Sequence, residues 1–433
     1  MPANTIPQSQ MEASVPAITQ QALQWEKDQW TSGSVFEDSF YTAPSNSSNA
    51  APGTLLKVEQ TTNTSCYALP PATALSRIIY QSQTLNGTLV PVSAYILWPF
   101  SPRASSDGYQ VVAWSHGTSG IGPDTAPSHQ INLWQHYLGP FNLALQGYVV
   151  VATDYAGLGV SKTDSGEPIV HEYLTSPSQA NDVFYSVQAA REAFPELGKQ
   201  FVVIGHSQGG GSAWAAAQRQ AIKPADGYLG AVAVSPVTSV LKEEEPIRSF
   251  LGFGMLSAIT AYFPEFNLSD VLTTEGLERH TLVKQLDATA TTSLTVISDV
   301  ALFQSNWTQN PYIQRYQTLV LNGGKAIAKP LLVIHGEADP NLNITVTAAA
   351  VEETVQKFPD APLEFIRVPG VTHNAALTSS QRVWMDWISD RFAGKATCST
   401  GGEMETKAAR PLDAYQPELN WYLSLATAFY QTP

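Results

Sequence analysis

The sequence predicts an α/β fold: a mostly parallel central sheet flanked by helices on both faces, with a helical cap inserted late in the chain. Three observations predict it. From Val111 onward, apolar runs of a few residues alternate with helix-length segments, a pattern that builds parallel strands buried on both sides. Ahead of them, three alternating segments separated by turn residues predict an antiparallel edge. About ninety residues separate Ser235, which closes the fourth apolar run, from Pro330, which opens the fifth; a plain crossover needs only ~30.

Residues 1–52 are rich in Gln, Ser, Asn, Ala and Pro around Trp25, Trp30, Phe36, Phe40 and Tyr41. They read as an N-terminal extension laid over the core. Thr54 to Gln60, Leu75 to Gln81 and Leu89 to Pro99 read as the antiparallel strands, with Asn86-Gly87 as a hairpin turn. The apolar runs are Val111 to Trp114, Tyr148 to Ala152, Phe201 to Ile204, Leu229 to Val234, Leu331 to Ile334 and Leu363 to Val368. The expected organisation is a core in two parts, 53–235 and 330–393, interrupted by the insertion 236–329 and followed by a tail, 394–433. The insertion carries Lys242 to Pro246 (KEEEP), the apolar run Phe250 to Phe263, and helical stretches near Leu277 to Ala288 and Tyr312 to Leu321. It reads as a cap over the site, or else as a decorative subdomain.

Composition narrows the class. With 433 residues, 43% of them hydrophobic and 14% charged, the chain can bury a large core. A net charge of -14 repels polyphosphate, and no stretch interleaves Lys or Arg with aromatics, which argues against nucleic acid as a partner. Phe250 to Phe263 is interrupted by Ser257 and Thr260 and is too short to span a bilayer, so the chain reads as soluble. The N-terminus has neither a basic nor an apolar signal region. Six sequons, at Asn46, Asn63, Asn86, Asn267, Asn306 and Asn343, nonetheless suggest a secreted glycoprotein whose signal peptide is absent from this sequence. Cys66 and Cys398 read either as one disulfide joining the N-terminal region to the tail or as two free thiols.

Chemistry concentrates at Gly205-His206-Ser207-Gln208-Gly209. An apolar strand precedes this run and a helix of small residues, Gly210 to Gln220, follows it. This is the strand-turn-helix setting of a G-x-S-x-G nucleophile elbow, in which glycines admit the close approach of neighbouring chain. A serine needs a base to take its proton and a carboxylate to orient that base. Asp339, in His335-Gly336-Glu337-Ala338-Asp339 after the fifth run, and His373, in Pro369 to Asn374 after the sixth, stand in the expected order of Ser, Asp, His. Glu337 is the rival carboxylate. His206 is expected to point away from the reaction, His116 to shape the loop before it, and His335 to be structural; His129, His136, His171 and His280 lack a strand-end setting. The oxyanion donors are expected at Gln208 and in Ser115 to Gly120, at Gly117 and Thr118.

Taken together, these residues resemble the fungal secretory lipase family, the lipase A type of α/β-hydrolase. The resemblance runs through Asp38 to Ser45, Val112 to Thr118, Asp124 to Ser128, Thr153 to Gly159, the GHSQGG elbow, the HGEAD loop and the late His373. It implies an α/β-hydrolase fold, a Ser207, Asp339, His373 triad and a helical cap matching the insertion. It also implies an acidic residue at Asp124 that assists the oxyanion hole; Asp124 reads equally as a cap for the segment after it. The DYxGxG loop at Asp154 to Gly159 is expected to line the site structurally.

The expected activity is hydrolysis of a small-molecule or lipid ester through an acyl-enzyme, with contact to a lipid interface compatible with it and no cofactor or metal required. Lipase, carboxylesterase and biosynthetic deacetylase or acyltransferase all fit, because the cap's shape decides among them. A serine peptidase would use the same triad, and a binding protein on this scaffold would ordinarily have lost one member of it. Nothing in the sequence fixes an oligomeric state.

Overall fold

The computed structural model of the protein describes residues 15–45, 47–134, 139–396, 403–405, 408–416 and 425–432. The strands, in chain order, are β1 (Leu55–Glu59), β2 (Thr73–Gln83), β3 (Leu89–Pro99), β4 (Ala104–Ser105), β5 (Gly108–Ser115), β6 (Val149–Thr153), β7 (Leu197–His206), β8 (Tyr228–Val234), β9 (Leu331–Gly336), β10 (Leu363–Val368) and β11 (Glu403–Glu405). They form one sheet in the order β1-β2-β3-β6-β5-β7-β8-β9-β10-β11, with β4 paired to β5. The pairings from β1 to β6 are antiparallel and those from β6 to β11 parallel. The six apolar runs read as parallel strands from the sequence fall in these strands, except that Tyr148 precedes β6 by one residue.

The parallel strands are buried on both faces because each face carries its own helices. Phe201 and Val203 of β7 point into one core cluster, with Trp214 and Val183. Val202 and Ile204 point into the other, with Trp384, Leu377 and Phe141. The alternation is the two-residue period of a strand. The helices supplying these faces include α2 (Pro140–Leu145), α3 (Ser176–Ala193), α4 (Gln208–Ile222), α9 (Ile344–Lys357), α10 (Ala375–Ser379) and α11 (Gln381–Phe392). Between β8 and β9 lie α5 (Ile247–Tyr262), α6 (Thr274–Leu286), α7 (Ala290–Ile297) and α8 (Pro311–Val320). These four bury a separate apolar cluster that includes Leu256, Ile259, Val271, Val283 and Tyr316.

The N-terminal segment departs from expectation. Val35, Phe40 and Tyr41 do join the sheet's core, but the first helix, α1 (Ala17–Lys27), sends Leu23 into the cluster of the insertion instead. Its Glu26 carboxylate accepts hydrogen bonds from the Thr289 N–H and hydroxyl, just ahead of α7. The extension therefore fastens the insertion as well as covering the core. Cys66 is exposed in a short turn; Cys398, Asn46 and His136 lie outside the described residues.

Candidate active site

Ser207 stands between β7 and α4 at φ 57°, ψ -119°, a left-handed conformation that a non-glycine residue adopts only under local constraint. The constraint is visible. Its N–H donates to the Val234 carbonyl at 3.0 Å, and its own carbonyl accepts from Gly211 at 3.1 Å and Val237 at 3.2 Å. A Cβ at Gly205 would stand 2.1 Å from the Gly209 oxygen, and one at Gly209 would stand 1.9 Å from the Ser115 oxygen. Both glycines are thus required for the elbow to press against the loop after β5.

Asp339 follows β9 and His373 follows β10, and the pairing of these two strands brings the loops together. His373 Nδ1 lies 2.7 Å from Asp339 Oδ2, with the two side chains 6% and 1% exposed. The other carboxylate oxygen accepts from the Asn341 N–H at 2.8 Å and the Leu342 N–H at 2.9 Å. Burial pulls the Asp339 carboxyl up, but His373 and His335 outweigh it and hold the group well below the usual carboxylate range. Glu337, the rival, is exposed to solvent.

Two histidines set aside in the sequence touch this pair. His335 has its Nε2 3.2 Å from Asp339 Oδ2 and its Nδ1 3.0 Å from the Thr347 hydroxyl. The only local signal was their shared five-residue loop. His206 does not point away: its Nε2 donates to the His373 carbonyl at 3.1 Å, and the two rings sit 4.6 Å apart. It keeps the strand alternation of Val202 and Ile204, so it faces the layer under which the His373 loop passes. Burial pushes His116 and His206 down to about 3, and His129, His171 and His280 down to about 4. Five histidines are therefore neutral, weakly basic side chains at ordinary pH.

The loop after β5 is set from behind. His116 Nδ1 donates to the Gly117 carbonyl at 2.7 Å, and Tyr155, itself at φ 67°, donates its hydroxyl to the His116 carbonyl at 3.1 Å. Asp154 accepts from the Ser128 N–H at 2.8 Å and from the Ser128 and Ser93 hydroxyls at 2.6 Å. Asp154 to Gly159 therefore buttresses the loop and is absent from the cavity walls, a correction to its expected place lining the site. Thr118 does line the cavity, its hydroxyl 3.0 Å from that of Tyr173. Gln208 begins α4, where the first N–H groups lack intrahelical partners, and its side-chain amide contacts His171 at 3.4 Å.

Asp124 is placed elsewhere. Its Oδ1 accepts from the Val35 N–H at 2.6 Å and the Ser34 hydroxyl at 2.9 Å, and it takes no part in lining the cavity. It caps no segment of its own either, since its donors lie about ninety residues away. Both expectations for this residue give way to a third: it anchors the N-terminal segment to the core.

A cavity of about 630 Å³ opens over Ser207 and His373. Its far walls come from the insertion, through Phe250 and Leu251 of α5, Leu294 and Ile297 of α7, and Leu302 and Phe303 beyond it. A volume in this range suits a ligand of drug or lipid-chain size. Among the described residues, no group of three or more His, Cys, Asp and Glu side chains is arranged to hold a metal ion. No helix of the described residues is long and apolar enough to cross a membrane.

Solved structures share this architecture at low sequence identity. Candida antarctica lipase A in its closed state superposes with a TM-score of 0.72 at 16% identity, over 87% of this chain and 91% of that one. The rice cell wall degrading esterase LipA from Xanthomonas oryzae gives 0.62 at 18%, over 79% and 98%. A putative hydrolase from Legionella pneumophila gives 0.63 at 18%, over 79% and 100%. A sequence comparison with curated proteins found no match. The family model described as "Alpha/beta hydrolase family" matches residues 111–385, from β5 through the elbow and the insertion into α11. The mostly parallel sheet, the strained serine at its centre and this match over more than half of the sequence have one meaning: the chain belongs to the alpha/beta hydrolase family.

Proposed function

We propose that the protein is a carboxylic ester hydrolase of the lipase A type, acting through Ser207, His373 and Asp339. The observation that carries this reading is the buried 2.7 Å contact of His373 Nδ1 with Asp339, at the edge of a cavity that Ser207 and His373 share. His373 Nε2 takes the hydroxyl proton as Ser207 Oγ attacks the ester carbonyl, and returns it to the leaving alcohol. Water, activated the same way, then releases the acid from the acyl-enzyme. Asp339 fixes the imidazole with its proton on Nδ1 and stabilises the cation formed in each half-reaction.

The developing oxyanion is held by the N–H of Gln208, at the positive end of α4, and by the N–H of Thr118. Support for Thr118 over Gly117 comes from the peptide between them. With the Gly117 oxygen drawn onto His116 Nδ1, the planar trans peptide turns the Thr118 N–H to the opposite side. The insertion 236–329 acts as the cap, and its apolar walls receive the acyl group. Export as a glycoprotein fits the sequons at Asn63, Asn86, Asn267 and Asn306, all of which are exposed.

Hydrolysis of p-nitrophenyl esters from acetate to palmitate tests the substrate class. With ~0.8 kcal/mol for each methylene buried, kcat/KM is expected to rise at least about tenfold from butyrate to octanoate. A maximum at acetate would replace the lipase reading with a deacetylase or short-chain esterase, and activity on aminoacyl anilides without ester hydrolysis would replace it with a peptidase. A fluorophosphonate should label the wild type and leave Ser207→Ala unlabelled.

A further inference from the structure

Glu243 lies in KEEEP, the charged run at the entry to the insertion, which the mechanism above does not use. It is only 3% exposed, unusual for a glutamate. Its Oε2 accepts the Asn343 N–H at 2.9 Å. That bond continues a series, since the two preceding amides, of Asn341 and Leu342, both point at Asp339 Oδ1. Three consecutive backbone donors are thus shared between two carboxylates, one in the core loop and one from the insertion. Asn343 is also the cap of α9, its side chain accepting from the Thr345 N–H at 2.9 Å. Glu243 therefore grips the loop at its hinge with the helix.

We propose that Glu243 is a positioning residue for the triad: it clamps the loop from Asp339 to Asn343 and so holds in place the carboxylate that orients His373. The inference rests on the ester-hydrolase reading. The titratable groups facing Glu243 are Asp339 after β9, His373 after β10 and Glu244 beside it, with His335 and His206 behind the first two. Burial pushes the Glu243 carboxyl up to about 7; the Asn343 N–H opposes this, and Asp339 adds to it. The clamp does not depend on that ionisation, because the carboxyl offers an oxygen to the Asn343 N–H in either state.

The test is kcat and KM on a chromogenic ester, normalised to the active-site titre, for the wild type, Glu243→Gln, Glu243→Ala and Ser207→Ala. Glutamine keeps an acceptor for the Asn343 N–H but carries no charge. It is expected to retain most of the wild-type kcat, because the clamp is kept. Alanine removes the clamp as well, and kcat should fall about tenfold with KM changed by less than about twofold. A residue needed only for folding would lower the active-site titre and leave kcat per titrated site unchanged. Should the alanine variant not fold, Glu243→Asp, one methylene shorter and so withdrawn from the Asn343 N–H, decides in its place and should show the same loss of kcat. A kcat per titrated site within about twofold of the wild type for the alanine variant, or for the aspartate variant in its place, overturns the proposal. Hydrolysis surviving in Ser207→Ala would instead overturn the reading of the site itself.

Discussion

Asp339→Asn is expected to lower kcat on a chromogenic ester roughly 10⁴-fold, with KM little changed and the fold intact. The size of the effect follows from what surrounds the carboxylate. All four of its contacts are donors: two backbone N–H groups on Oδ1, and the ring nitrogens of His373 and His335 on Oδ2. An asparagine offers one acceptor and one donor group. The backbone amides of Asn341 and Leu342 cannot turn, so the amide oxygen must stay with them. The NH₂ group is then forced onto His373 Nδ1, which can meet it only as an acceptor. The remaining ring proton moves to Nε2, the atom that has to take the proton of Ser207. Loss of rate through this tautomer change should appear equally in esterase turnover and in the rate of fluorophosphonate labelling. A variant retaining more than about a tenth of wild-type kcat would show that Asp339 does not orient the base. Glu337→Gln, in the same loop but exposed, is expected to leave kcat within about twofold.

Local pattern carried much of this architecture. Buried parallel strands are apolar at consecutive positions, so Val111 to Trp114 and Leu331 to Ile334 announce themselves without any partner. The elbow is equally local, because Gly205 and Gly209 are required by a turn five residues long. Asp339 and His373 were reachable because this architecture gathers functional loops at the carboxyl ends of the strands. What local pattern did not carry shares a different physics. Asp124 bonds to Ser34 and Val35, and Glu26 to Thr289. Such pairings join distant segments and leave no periodicity or spacing to read. Glu243 sits inside a run of three glutamates, a composition usual for exposed chain. Its burial depends on where the insertion meets the loop after β9, which only the assembled chain decides.

The contribution of the buried carboxyls to stability is expected to increase as pH falls from about 8 to about 5, the reverse of what a surface rich in ion pairs would give. Burial raises Glu26 from 4.5 to about 7, Asp182 from 3.8 to about 7 and Asp154 from 3.8 to about 6, hydrogen bonds opposing it in each case. A carboxyl whose pKa is higher in the folded chain binds more protons there than when unfolded, throughout the interval between the two values. Its stabilisation is complete below the unfolded pKa and is lost as pH rises through the folded one. For Glu26 alone the difference is worth roughly 3 kcal/mol. Asp287 works in the same direction, raised by burial first and then by Asp124 beside it, and the net charge of -14 adds general repulsion at high pH. Two sets of groups oppose the trend. The five histidines that burial holds at about 3 to 4 stay neutral in the folded chain while unfolded imidazoles take up protons below about 6.5, so stability is lost through them as pH falls. Asp339 opposes it further at the acid end. Burial works against its ionisation, but His373 and His335 depress the group, so its contribution is present above the unfolded value near 3.8 and lost on further acidification. Thermal unfolding followed from pH 3 to pH 8 should therefore show a maximum near neutrality, where the gain from the carboxyls gives way to the loss from the histidines. Glu26→Gln isolates one contributor: the amide stays neutral at every pH and can still accept from Thr289, so at pH 8 it should exceed the wild type in stability by up to roughly 3 kcal/mol, and at pH 4.5 the two should nearly coincide. Because Glu26 joins α1 to the start of α7, the wild type's loss above pH 7 should appear first as faster hydrogen exchange in those two helices. Equal stability differences between the two proteins at pH 4.5 and pH 8 would mean that Glu26 does not titrate on unfolding, and would remove the acid clasp between the N-terminal helix and the insertion.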